Sequence, residues 1–224
     1  MQTDFWLERW EKNQIGFHEE EVNSHLQNFW ATLKLPAQRK IFVPLCGKSK
    51  DMLWLLAQGY QVVGVELSSL AVQNFFTENQ LEAQVTDCGT LQRWETDGLS
   101  IYQGDFFDLR DTDLADCDAI YDRASLIALP PQMRKQYTKH LKSIVPNLSH
   151  TLLLTLEYDQ NQMQGPPFSV SESEVCDLFG HDYQIECLFS AESLEQNEQF
   201  KQRGLTQLRE KAYWLKQHSN QDTE

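Results

Sequence analysis

The stretch that most constrains this chain spans residues 41–66. It opens on a short apolar run, Ile41-Phe-Val, stopped by Pro44 and Gly47, as a buried strand at a sheet centre is stopped. Met52-Leu-Trp-Leu-Leu-Ala57 follows as a helix, with Ser49 as its N-cap and Gly59 as its C-terminal stop. Tyr60-Gln-Val-Val-Gly-Val-Glu66 is then a second strand that ends on an acid. Strand, glycine turn, helix and strand make a βαβ unit with parallel strands, so both strand ends lie on one edge. The turn after Leu45 and the carboxylate of Glu66 therefore flank one crevice. The acid falls about 20 residues past the turn, where a first βαβ unit puts its ribose-hydroxyl acceptor.

The same turn also excludes. A dinucleotide fingerprint needs three glycines, and Pro44-Leu-Cys-Gly-Lys-Ser49 supplies one. No second glycine stands at the P-loop distance. What remains is a nucleoside-shaped pocket without a full pyrophosphate cradle. A ligand with an adenosine and no phosphates fits that deficit, and S-adenosylmethionine is such a ligand. The net charge of −14 repels phosphate backbones and anionic lipid surfaces, which argues against a nucleic-acid substrate. No apolar run approaches a membrane span, and the first residues lack a secretory pattern. Cys46, Cys88, Cys117, Cys176 and Cys187 are odd in number, scattered and without a Cys-x-x-Cys. They read as reduced thiols in a cytoplasmic protein, with no zinc or other metal site.

Read in order, residues 3–12 form a short helix with Phe5, Trp6 and Trp10 near one face. Val22, Leu26, Phe29, Trp30 and Leu33 mark a second helix, which Pro36 ends. Beyond Glu66, Ser68 or Ser69 caps a helix that runs to Asn79, with Val72, Phe75 and Phe76 inward. Asp97-Gly98 joins two strand-like runs into a hairpin near 91–103, inserted before or into the third strand. A fourth strand over 116–123 ends on Asp122 and Arg123 at the same edge as Leu45 and Glu66. Such a charged pair serves equally as a salt bridge to a neighbouring loop. Pro130-Pro131 opens a helix to Ile144, and residues 151–158 make a fully buried fifth strand. A short helix over 172–179 precedes two last strands, 183–189 and 205–215, antiparallel to each other. Residues 191–204 between them read as loop.

The architecture is α/β: a Rossmann-like, mostly parallel sheet of seven strands with helices on both faces and an antiparallel end. One domain is expected over 1–217, with residues 1–36 as a helical cap over the cofactor crevice. Residues 218–224 are expected to be a disordered tail.

Particular motifs narrow the reading. Phe42-Val-Pro-Leu-Cys-Gly-Lys48, Val63-Gly-Val-Glu-Leu67, Gly104-Asp-Phe-Phe-Asp-Leu109, Tyr121-Asp-Arg-Ala-Ser-Leu-Ile-Ala128 and Gly165-Pro-Pro-Phe168 stand in order along nearly the whole chain. Together with Phe5-Trp-Leu-Glu-Arg-Trp10 and Gly16-Phe-His18, this set resembles the thiopurine S-methyltransferase family of bacterial type. The resemblance implies S-adenosylmethionine as cofactor, with contacts at Trp10, Leu45, Glu66 and Arg123. Glu66 would accept from the ribose hydroxyls, and the Leu45 backbone would approach the methionine end. Trp10 would supply an aromatic wall whose π face suits a sulfonium. Arg123 would anchor a carboxylate or steer the substrate. Asp105 and Phe106 match positions beside the adenine, and Phe17 matches a substrate-side aromatic. His18 fits the pattern without an assignable role.

The activity so implied is methyl transfer to a small aromatic or heterocyclic thiol, and also to selenium or tellurium species, as in tellurite and selenium detoxification. A thiolate is the reactive form of its thiol, so positioning and water exclusion carry most of the catalysis. Asp122, beside Arg123, is a candidate proton acceptor. Partners other than the small-molecule substrate are not expected, and a monomer is the default. Three rivals are weighed. The missing glycines disfavour a dehydrogenase. The charge, and Tyr121-Asp-Arg where Asn/Asp-Pro-Pro-Tyr/Phe would stand, disfavour a nucleic-acid methyltransferase. A regulatory protein that binds S-adenosylmethionine without turnover is the alternative from another class.

Overall fold

The computed structural model describes residues 3–145 and 150–218. Its strands are β1 (Lys40–Val43), β2 (Gln61–Glu66), β3 (Gln84–Cys88), β4 (Leu91–Thr96), β5 (Leu99–Gln103), β6 (Cys117–Arg123), β7 (His150–Glu157), β8 (Tyr183–Glu192) and β9 (Arg209–Gln217). The helices are α1 (Thr3–Glu11), α2 (Ser24–Phe29), α3 (Asp51–Ala57), α4 (Ser69–Glu78), α5 (Ser125–Ala128), α6 (Pro131–Ile144), α7 (Glu172–Phe179) and α8 (Glu198–Gln202).

All strands join one sheet in the order β3-β4-β5-β2-β1-β6-β7-β9-β8. The central five, β5-β2-β1-β6-β7, are parallel. β9 then runs antiparallel to both β7 and β8. The chain builds outward from β1 through β2 to β5, and then crosses to β6 on the other side of β1. That reversal opens a crevice at the carboxyl ends of the strands, beside β1 and β6.

Among the described residues the sheet has nine strands, where seven were expected from the sequence. The two additional ones, β3 and β4, form the antiparallel edge beyond β5. All five residues of β3 are exposed, so it carries no apolar pattern and owes its extended state to pairing with β4. The hairpin at Asp97-Gly98 is present and built into the third strand, since its second arm is β5, the third parallel strand itself.

Alternation along the strands divides the core in two. Phe42, Val63, Val65, Tyr102, Ile120, Leu153 and Tyr213 face α6 and α7. Ile41, Val43, Val62, Ile101, Tyr121, Leu152 and Leu154 face α2, α3 and α4. The stripe expected to be one helix over 22–33 divides into α2 and a 3-10 turn, Trp30–Leu33. Asn23 sets the start of α2: its side chain accepts from the amides of His25 and Leu26, and this cap leaves Val22 outside the helix. Leu26, Trp30 and Leu33 are still buried. Residues 191–204, expected to be loop, hold the end of β8, a 3-10 turn and α8. Leu194 and Phe200 there, with Leu205 just beyond, bury against Tyr158 and Met163 in a small satellite core. The expected tail lies, apart from His218, outside the described residues.

Gly64 in β2 lets the first βαβ unit close. A methyl group there would sit 2.8 Å from Cys46 Sγ and 3.2 Å from Met52 Sδ. The turn after β1 and the start of α3 therefore press directly on the β2 backbone.

Candidate active site

The turn that follows β1 is held from β2. Leu45 has φ of 47°, a strained value for a branched residue, and Gly47 has φ of 54°. The Cys46 amide donates to Val65 O at 2.9 Å, and the Gly47 amide donates to Glu66 Oε2 at 2.8 Å. The other carboxylate oxygen, Oε1, accepts from the Ser68 amide at 2.8 Å. Glu66 thus joins the two loop ends at the crevice while lining it. Burial pushes its carboxyl above the usual range, against the amides of Ser68, Gly47 and Leu67, which favour the ionised form. Each carboxylate oxygen keeps acceptor capacity for a ligand hydroxyl.

The N-terminal segment roofs this turn. A methyl group on Gly47 would lie 3.4 Å from the Trp10 ring, so the indole rests on the backbone of the turn. Trp10 is 5% exposed and meets Phe17 edge to face at 5.6 Å, and Phe17 meets Trp6 in the same way at 5.5 Å. Burial and then Lys48 lower the pKa of His18, against Glu20 and Glu78.

Alternation along β6 decides which of its terminal charges reaches the crevice. Tyr121 and Arg123 line the cavity. Asp122, between them, faces α6, where the Tyr137 hydroxyl donates to its Oδ2 at 2.7 Å. Asp122 is fully buried, and burial raises its pKa to about 6, against hydrogen bonds from Tyr137 and Ser125. The structure therefore does not bring Asp122 to the cavity wall, although it is adjacent in sequence to a residue that lines it.

Arg123 sits among acids. Its Nη2 is 2.6 Å from Glu19, and its Nη1 is 3.6 Å from Asp51. Asp51 is buried and already accepts from the Tyr121 hydroxyl at 2.9 Å and the Asn23 amide at 2.8 Å. Burial opposes the arginine charge, but Glu19 and Asp51 outweigh it and its pKa is raised. A second polar group lies where α2 meets β9. His25 Nε2 is 3.0 Å from Glu210 Oε2, and Asn197 donates to Glu210 Oε1 at 3.3 Å. The Thr155 hydroxyl is buried without a hydrogen-bond partner among the described residues, and it lines the same cavity.

These groups surround one cavity of about 840 Å³, a volume in the range of small-molecule sites. Trp10, Phe17, Leu45, Glu66 and Arg123 all line it. Asp105 and Phe106 do not. The Asp105 carboxylate accepts from the Phe107 amide at 2.9 Å, and the Phe106 ring packs between Phe42 and Tyr137. The buried Cys46 thiol is pushed well above its usual range by burial and by Glu66, so it stays neutral. Among the described residues no cluster of His, Cys, Asp and Glu is disposed to hold a metal ion. No helix among them is long and apolar enough to cross a membrane. Sequence reading missed Glu19, Asp51 and the His25–Glu210 pair. Of these only Asp51 carries a local signal, an acid in the first turn of the helix after the glycine turn.

A buried acid at the end of β2, a backbone turn open to close approach and an aromatic wall fit an adenosine-bearing sulfonium cofactor. Comparison with known proteins agrees. The family model for thiopurine S-methyltransferase matches residues 1–218. A thiopurine S-methyltransferase of Pseudomonas fluorescens (strain Pf0-1) is 49% identical over 216 residues, 96% of this chain and 99% of the relative. One of Methylococcus capsulatus is 46% identical over 96% of this chain and 98% of its own. Among solved structures, a Burkholderia thailandensis 1,6-didemethyltoxoflavin-N1-methyltransferase with bound S-adenosylhomocysteine superposes with a TM-score of 0.65 at 13% identity. That match covers 97% of this chain and 87% of the other. A SAM-dependent methyltransferase of Anabaena variabilis gives 0.62 at 13% identity, over 96% and 95%. At these identities the solved structures speak for the fold alone. The chain belongs to the thiopurine S-methyltransferase family, as an enzyme that takes its methyl group from S-adenosylmethionine.

Proposed function

We propose that this enzyme methylates the sulfur of small aromatic or heterocyclic thiols such as thiopurines, and that selenium and tellurium species are accepted at the same site. The observation that carries this reading is the single cavity shared by the Glu66–Gly47 end and by Phe17 and Arg123. S-adenosylmethionine, when bound, supplies an electrophilic methyl group on a sulfonium. Glu66 would accept from its ribose hydroxyls, the Leu45 backbone would meet its methionine end, and Trp10 would wall the sulfonium. Asp105 and Phe106 would meet the adenine; for these two the support is the motif resemblance alone. Phe17 would stack on the substrate and Arg123 would hold its negative charge.

What these residues do is position, desolvate and hold charge. A thiol that ionises near neutral pH arrives as thiolate, so no strong base has to be built into the wall. Trp6, Trp10 and Phe17 cover the cavity and would exclude water from the reacting pair. All five cysteines are free, which supports a reducing compartment such as the cytoplasm. The acidic surface disfavours nucleic acid, and a monomer with residues 1–36 as a cap over the crevice completes the reading.

The test is transfer of labelled methyl to thiophenol, with phenol and aniline in parallel. Label on sulfur alone is expected, and kcat/KM should fall at least tenfold in Arg123→Met. Transfer to oxygen or nitrogen with none to sulfur would contradict the reading.

A further inference from the structure

Arg123 lines the cavity with its side chain only 14% exposed, yet an acid already occupies it. Its two acidic neighbours differ in kind. Asp51 is 1% exposed, stands farther off at 3.6 Å, and is committed to the Tyr121 hydroxyl and the Asn23 amide. It belongs to the framework. Glu19 makes the shorter contact, 2.6 Å, with half of its side chain in solvent. It stands between α1 and α2 on a stretch that is neither helix nor strand. Its other ties are weak: Asn23 Nδ2 donates to it at 3.4 Å, and the adjoining Glu20, largely exposed, reaches Lys50 at 3.5 Å and His18 at 3.6 Å. Glu19 is therefore the removable partner of a nearly buried cation.

From this arrangement we infer that Glu19 is a specificity-determining residue: it fills the anion seat on Arg123, and a substrate carrying its own negative group displaces it. The inference rests on the reading of Arg123 as the group that holds substrate charge. An incoming anion replaces Glu19 one for one, so the charge around Arg123 and Asp51 is unchanged. A ligand with no negative group offers no such exchange and binds with the Glu19 contact in place. The ligand class selected is thus an aromatic thiol with a carboxylate or comparable anionic group. The cost of displacing Glu19 reduces apparent affinity by the fraction of molecules whose seat is closed. An ion pair with one partner half in solvent sets that reduction at about two- to fivefold.

The test is calorimetric binding to the full chain saturated with S-adenosylhomocysteine, using 3-(methylthio)benzoate and the neutral 3-(methylthio)benzamide, in which the sulfur cannot ionise. Wild type, Glu19→Gln and Glu20→Gln are compared. Glu20→Gln loosens the same stretch without touching Arg123, so it separates charge from slackness. Glu19→Gln should bind the benzoate about two- to fivefold more tightly and the benzamide unchanged, while Glu20→Gln matches wild type for both. An equal change for both ligands, an equal change in both variants, or no gain for the benzoate in Glu19→Gln would overturn the inference. Binding does not need turnover. A protein that binds as stated but moves no methyl to sulfur would refute the proposed reaction and leave the role of Glu19 standing.

Discussion

Glu66 and Asp122 are both buried acids at strand ends, and the direction each faces separates their roles. Glu66 lines the cavity, whereas Asp122 points at Tyr137 on the opposite face of the sheet. Because burial raises the Glu66 pKa, its ionised form is lost at a higher pH than an exposed glutamate, which titrates near about 4.3. For Asp122 the sign is equally definite. Its folded pKa of about 6 exceeds the unfolded value of about 3.9, so its stability contribution is full below the lower value and lost as pH rises through the upper. Relative to Asp122→Asn, the wild type should lose about 2 kcal/mol between pH 4 and 7, measured as urea midpoints. The pH profile of methyl transfer should be the same in both proteins. A shifted profile in Asp122→Asn would return Asp122 to the reaction as a proton acceptor. The sequence could name both Asp122 and Arg123 as strand-end charges but could not rank them. β6 is buried on both faces, so no apolar alternation reveals which residue faces which helix layer. Glu19 was illegible for another reason: its partner lies 104 positions along the chain, and nothing local marks it.

The first βαβ unit was legible almost in full, because a buried strand, a glycine turn and a second strand each leave a local mark. β1, α3 and β2 appear within a residue or two of their expected bounds. The close fit of this unit gives a test of its own. Gly64→Ala puts a methyl group 2.8 Å from Cys46 Sγ, and the turn that carries Leu45 and Gly47 must give way. A loss of about 1–3 kcal/mol in urea midpoint is expected, with weaker cofactor binding, since the displaced turn lines the cavity. Unchanged stability would mean that the turn is looser than its contacts state. Elements whose state depends on a neighbour were not legible. β3 is extended only because β4 pairs with it, and α8 forms where Phe200 finds a small satellite core. α5 is four residues long and begins after Ala124, whose φ is 72°. No periodicity can signal a helix of that length.

At the scale of the whole molecule, the cavity is built by both halves of the sheet and by the N-terminal segment together. β1, β2 and β6 supply one end, β7 and β9 the far wall, and residues 6–25 the remaining side. A ligand that binds this folded arrangement and not the unfolded chain must stabilise the whole. At S-adenosylmethionine concentrations 100 times Kd the gain is about 2.7 kcal/mol, or roughly 5–10 °C in Tm for a chain of this size. An unmoved Tm under saturating cofactor would contradict the shared cavity. The central claim, that Glu66 and the turn at Gly47 hold the methyl donor, is tested most directly by calorimetric titration of wild type and Glu66→Ala with S-adenosylmethionine. Binding by the wild type, weakened in the variant by about 1.5–3 kcal/mol, roughly 10- to 150-fold in Kd, is the predicted result. No binding by the wild type, or equal affinity in the two, would contradict the account.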